Sequence, residues 1–209
     1  MTQLIVYKAL EGILLCTDSA AVTFDENHVS TTLEVQKLFE ISPNIIIATA
    51  GVGYGIAICS AFQNYVRSKG LWHYEDISHV ALPFFRSELH RFQQESNFTP
   101  ASPDVSKLYF VIAGYLPSSD GPKFKFCTIA SDSLDTPLNF IKTSHFVVIP
   151  RKLALEYRLN RLPANTQITE VEKTCEAYLK QLVEKLDDVA LPLHFAILTE
   201  KGIHWRLIE

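Results

Sequence analysis

The chain has 209 residues, 47% of them hydrophobic and 20% charged, with a formal net charge of −4 and a sequence pI near 6.0. That balance leaves no basic footprint for nucleic acid and no polybasic membrane anchor, and no apolar run reaches the length of a membrane span. The length fits one domain, residues 1–209, with a single large core.

Thr2 follows Met1 directly. If Met1 is trimmed, one residue carries a hydroxyl nucleophile and an α-amine that accepts a proton near neutral pH. The N-terminus has no basic region followed by an apolar stretch and a small-residue cleavage site, which argues against export and for a cytoplasmic protein. Gln3–Ala9 and Ile13–Ser19 read as strands joined by the turn Leu10-Glu11-Gly12, a hairpin that begins at Thr2. A polar stretch, Asp25–Thr32, precedes a second strand pair, Val35–Ile41 and Ile45–Ala50, broken by Pro43-Asn44. The run closes on Gly51-Val52-Gly53-Tyr54-Gly55.

Ile56, Cys59, Phe62 and Val66 recur at helical spacing until Gly70, and Ile77 to Phe92 mark a second helix over Glu75–Gln94. Pro83 is expected to kink that helix or to define its first turn. Asn97–Ser106, with two prolines, reads as a loop. Leu108–Tyr115 and Lys123–Ala130 are strands around the turn Pro117–Pro122, and Thr143–Ile149 is a further candidate. Arg151–Leu162 and Thr169–Leu186 read as helices, the second with an apolar stripe from Val171 to Leu186. The hairpin Leu193–Thr199 and Ile203–Ile208 ends the chain. This order of strands, helix pair, strands, helix pair, strands suits two antiparallel sheets with helices on their outer faces, or an α+β fold with helices on one side.

The cysteines Cys16, Cys59, Cys127 and Cys175 are scattered in apolar surroundings without a CxxC pair, and read as four buried free thiols. None of the seven histidines has paired metal-ligand spacing, so no metal and no cofactor are expected. Gly51, Gly53 and Gly55 fit the dinucleotide fingerprint poorly, and no serine sits in a nucleophile elbow.

Four elements do line up with a known family: Thr2; Leu14-Leu15-Cys16-Thr17-Asp18-Ser19; Gln36-Lys37-Leu38-Phe39-Glu40-Ile41; and Ala48-Thr49-Ala50-Gly51. In that order they resemble the amino half of proteasome β-type subunits and their bacterial relatives of the HslV and Anbu kind, which are N-terminal nucleophile hydrolases. Leu193–Thr199 with Glu200-Lys201-Gly202 resembles the family's late strand and turn. The resemblance implies an α+β fold, the four-layer αββα sandwich.

By the same resemblance, Thr2 is nucleophile and base, Lys37 lowers the hydroxyl pKa, and Asp18 aims Lys37. The Gly51 N–H supplies an oxyanion hole, where a lost donor typically costs about 3–4 kcal/mol. The family's Ser-Gly supports are altered here, since the chain has no Ser-Gly dipeptide. Ser144 and Asp187 fall where those supports would stand. The implied activity is a threonine-type peptidase or amidohydrolase acting on a peptide or protein substrate through an acyl-threonine ester, with amide ligation and small-metabolite amidase chemistry as variants. A homo-oligomeric ring is implied, and an ATP-dependent unfoldase partner is left open. The alternative of a different class is a non-catalytic, proteasome-like structural or partner-binding subunit with a vestigial Thr2.

Overall fold

A computed structural model describes residues 3–24, 30–95, 107–117, 123–133 and 136–209. In chain order the first elements are β1 (Leu4–Lys8), β2 (Ile13–Thr17), β3 (Ala20–Phe24), β4 (Ser30–Glu34), β5 (Leu38–Ser42) and β6 (Ile45–Gly51). Helices α1 (Tyr54–Ser68) and α2 (Tyr74–Glu95) precede β7 (Leu108–Tyr115), β8 (Phe124–Ser131), β9 (Asn139–Ile141) and β10 (Phe146–Ile149). Then come α3 (Leu153–Asn160), α4 (Ile168–Val183), β11 (Leu193–Thr199) and β12 (Gly202–Ile208). The chain forms two compact units, Met1–Leu38 with Thr143–Glu209, and Phe39–Lys142.

The first unit is built on an antiparallel sheet ordered β10-β1-β2-β11-β12. One face packs Ile5, Tyr7, Leu14, Cys16, Phe195 and Ile197 into a core with the helices. From α4 this core takes Ile168, Val171, Cys175, Leu179 and Leu182, spaced three or four apart so that they share one side of the helix. The first turn of α4 is capped from a distance: the Ile168 N–H donates to Oε1 of Glu11, in the β1–β2 turn, at 2.7 Å. The opposite face of the sheet, with Leu4, Val6, Ile13, Leu15, Ala196 and Leu198, is also fully buried. A sheet dry on both faces explains why these strands read as continuous apolar runs instead of alternating.

The second unit carries the sheet β5-β6-β7-β8-β9 with α1 and α2. Its core centres on aromatic rings: Phe62 of α1 meets Phe85 of α2 edge-on at 4.8 Å, and Phe85 stacks on Phe110 of β7 at 4.3 Å. Here too the second sheet face, with Ile46, Ala48, Val111 and Ala113, is fully buried. Gly70, at φ +62°, ends α1 in the left-handed conformation that a side chain resists.

Several expectations shift. The polar stretch after β2 contributes to a separate two-stranded hairpin, β3–β4. The strand expected at Val35 starts only at Leu38, because the preceding residues are tied elsewhere. The Val35 N–H donates to the Ser19 carbonyl at 2.8 Å, and Lys37 turns inward. Pro83 lies well inside α2 instead of in its first turn, so no N–H returns to the His79 carbonyl. Strand β9, unforeseen, adds a short edge, and α3 is shorter at both ends than Arg151–Leu162. The cysteines are free, but Cys127 is only half-buried. The Asn97–Ser106 loop and most of the Pro117–Pro122 turn lie outside the described residues, as does Thr2. Among the described residues no helix is long and apolar enough to cross a membrane, and no group of three or more His, Cys, Asp or Glu could hold a metal ion.

Candidate functional site

The end of β2 runs straight into Asp18, which is completely buried. A buried carboxylate needs partners, and Asp18 has three. Oδ1 accepts the Gln3 N–H at 2.8 Å and the Lys37 ammonium at 3.0 Å, and Oδ2 accepts the Ala20 N–H at 3.0 Å. Lys37 is 1% exposed and also donates to the Ala20 carbonyl at 2.6 Å. The pair therefore ties the start of β1, the β2–β3 corner and the segment leading to β5 into one hydrogen-bonded unit. Burial pushes the Lys37 ammonium below the usual lysine range, while the charge and hydrogen bond of Asp18, and then the charge of Asp188, push it back up.

The segment carrying the acidic residues is fastened to the same corner. The Ser19 N–H donates to the Ala190 carbonyl at 3.2 Å, and the Ser19 hydroxyl donates to the Leu191 carbonyl at 2.7 Å. Val189 is buried in the first unit's core. Asp187 points to solvent, and it is its neighbour Asp188 whose charge reaches Lys37. The doubled Asp187-Asp188 made this one-residue choice ambiguous in the sequence. The buried Val189 is the signal that resolves it, since it anchors the chain directly after Asp188.

Ser144 is exposed, two residues before β10, and its hydroxyl donates to the Phe146 carbonyl at 3.2 Å. Its side chain serves a local turn. Gly51 ends β6 at φ +99°, where an added Cβ would sit 2.0 Å from the Lys107 carbonyl oxygen. Only glycine fits that backbone, whatever its N–H does. Gly51 belongs to the second unit, and Asp18 and Lys37 to the first. Of the residues singled out in the sequence, the structure thus brings Asp18 and Lys37 into direct contact.

Two further polar residues escaped sequence reasoning. Thr17 on β2 and His194 on β11 are directly opposed across the ladder. Thr17 Oγ1 and His194 Nε2 are buried and have no hydrogen-bond partner among the described residues. Burial pushes the His194 imidazole down, Glu34 raises it, Lys37 lowers it, and Asp18 raises it. Neither residue belongs to a motif, and only the strand register brings them together.

Chemically this arrangement is static. The Asp18 carboxylate accepts three hydrogen bonds and two of the three ammonium protons of Lys37 have acceptors, so most of the pair's polar atoms are engaged in holding the corner. The pair reads as a clamp.

No protein-family model matches the sequence, and no curated protein matches it in sequence. Solved structures do match in three dimensions. The Gly-1 mutant of Anbu from Hyphomicrobium sp. strain MC1 superimposes with a TM-score of 0.72 at 12% identity, over 100% of this chain and 87% of that one. Anbu, an ancestral β-subunit, from Yersinia bercovieri gives 0.68 at 12% identity, over 99% and 86%. A second Hyphomicrobium Anbu structure gives 0.69 at 10% identity, over 99% and 87%. The chain therefore has the proteasome β-like fold of the N-terminal nucleophile hydrolases, an α+β sandwich, as the resemblance implied. The expectation of a threonine peptidase is corrected. The likeness is to Anbu, described as an ancestral β-subunit, and it backs the non-catalytic alternative instead.

Proposed function

We propose that this chain is a non-catalytic, proteasome-like subunit that serves assembly or partner binding, with Thr2 vestigial. The observation that carries the reading is the end-to-end likeness to the Anbu β-subunit fold, combined with what that fold does with its charged pair. Asp18 and Lys37 hold backbone groups and each other. Ser144 and Asp187, which would have supported a nucleophile, are both exposed, and Ser144 serves its own turn. The buried ion pair makes this corner a structural element of the subunit. Self-association into a homo-oligomer is part of the proposal.

The test compares wild type with Thr2→Ala by native mass spectrometry and by turnover of a panel of fluorogenic acyl-peptides. The expected result is the same assembly state and the same background hydrolysis for both. A peptide hydrolysis rate that disappears in Thr2→Ala would overturn the reading.

A further inference from the structure

We infer that Thr17 and His194 form a binding site for one internal water molecule, held between Thr17 Oγ1 and His194 Nε2 and fastening β2 to β11 next to Asp18. The site does not depend on whether Thr2 reacts, since both residues lie on strands of the first unit. Thr17 is the last residue of β2 and His194 the second of β11, and the register sets them directly opposite each other. Each carries a buried polar atom with no hydrogen-bond partner among the described residues. Buried polar atoms are rarely left unpaired, and two of them on facing side chains point to a shared partner.

The surrounding sheet supplies no such partner. Side chains alternate across strands, so the face that carries Thr17 and His194 also carries their register neighbours Leu4, Leu15, Ala196 and Leu207. Leu4, Leu15 and Ala196 are fully buried, and none of the four has a polar side-chain atom. The polar groups at the same corner are committed elsewhere. The Ser19 hydroxyl donates to the Leu191 carbonyl. Of the charged groups that act on the imidazole, Asp18 and Lys37 are bonded to each other, and Glu34 is exposed.

The shapes of the two side chains separate their polar atoms. Directly opposed residues of an antiparallel pair have Cβ atoms about 4.5–5.5 Å apart. Oγ1 is bonded to the Thr17 Cβ, and a β-branched side chain is stiff at χ1, whereas Nε2 sits at the far edge of the imidazole. The two atoms therefore stand at different heights above the sheet. That offset suits two hydrogen bonds in series, each about 2.7–3 Å, with a water oxygen between them. A water serves either tautomer of the ring. With the proton on Nδ1 it donates to Nε2, with the proton on Nε2 it accepts, and the threonine hydroxyl matches both because it donates and accepts. Burial holds the imidazole toward the neutral form that both arrangements use. Internal waters are held by two to four polar partners, and this pair provides two.

The test is a crystal structure of the full-length chain, at a resolution that shows ordered water, for wild type and for Thr17→Val. Valine keeps the branched shape of threonine and removes only the hydroxyl. Wild type should show one water within hydrogen-bond distance of both atoms, and Thr17→Val should lose it. In solution, the His194 Nε2 nitrogen resonance should shift between wild type and Thr17→Val while those of the other histidines stay in place. If Thr17→Val fails to fold, the wild-type density decides alone. A direct bond between Oγ1 and Nε2, a ring turned so that Nε2 meets another group, or a dry gap between the two side chains would overturn the site. An unmoved His194 resonance would do the same. None of these results touches the subunit reading, which the Thr2→Ala comparison decides.

Discussion

Replacing Lys37 with Met tests the clamp most sharply. Methionine keeps the length and apolar stem of lysine, so packing is largely preserved and the ammonium alone is removed. Asp18 is then a fully buried carboxylate that has lost its counter-charge 3.0 Å away. Breaking a buried pair from one side typically costs about 3–5 kcal/mol, because the surviving charge is uncompensated. Asp18 keeps the Gln3 and Ala20 N–H donors, which places the expected loss near the lower end, about 3 kcal/mol. Both Lys37→Met and the double variant, Asp18→Asn with Lys37→Met, leave the Ala20 carbonyl without its ammonium donor. Beyond that, removing both charges together leaves one backbone donor poorly paired, at about 1–3 kcal/mol, in place of an uncompensated buried charge. The double variant is therefore expected to be no less stable than Lys37→Met alone. The assay is equilibrium urea unfolding at fixed protomer concentration, since assembly would otherwise shift the midpoint. A loss below about 1 kcal/mol for Lys37→Met, or costs that simply add in the double variant, would refute the clamp.

Two other outcomes follow from the geometry. Gly51→Ala forces a side chain into φ +99° and against the Lys107 carbonyl, and should cost at least about 1–3 kcal/mol in urea unfolding; an unchanged midpoint would contradict the described turn. Burial lowers the folded pKa of His194, so between that value and the unfolded value near 6.5 the unfolded chain binds more protons. Stability is then lost as the pH falls from about 6.5 through the folded pKa. A His194→Gln variant should show a flatter acid limb, and an NMR titration of His194 midway above 6.5 would contradict the assignment.

Much of the fold was legible because the strands are dry on both faces. Leu14-Leu15-Cys16 and Ile45-Ile46-Ile47 read as strands from apolarity alone, and the α4 stripe from its spacing. The β3–β4 hairpin was not legible. Its residues include Ser30, Thr31 and Thr32, which pair through backbone groups without an apolar signature. Lys37 shows the same limit from the other side. In the sequence it looks like a strand residue, but its side chain is pulled inward by Asp18 and Ala20, which delays β5. The Asp18–Lys37 contact could be anticipated from family-like spacing. The choice of Asp188 over Asp187, and the opposed Thr17 and His194, depend on register and anchoring that no spacing rule encodes.

The measurement closest to the central claim is the intact mass of the purified chain before and after incubation with a threonine-directed peptide epoxyketone. A non-catalytic subunit predicts an unchanged mass, whether or not Met1 has been removed. A single inhibitor adduct mapped to Thr2 would contradict the account.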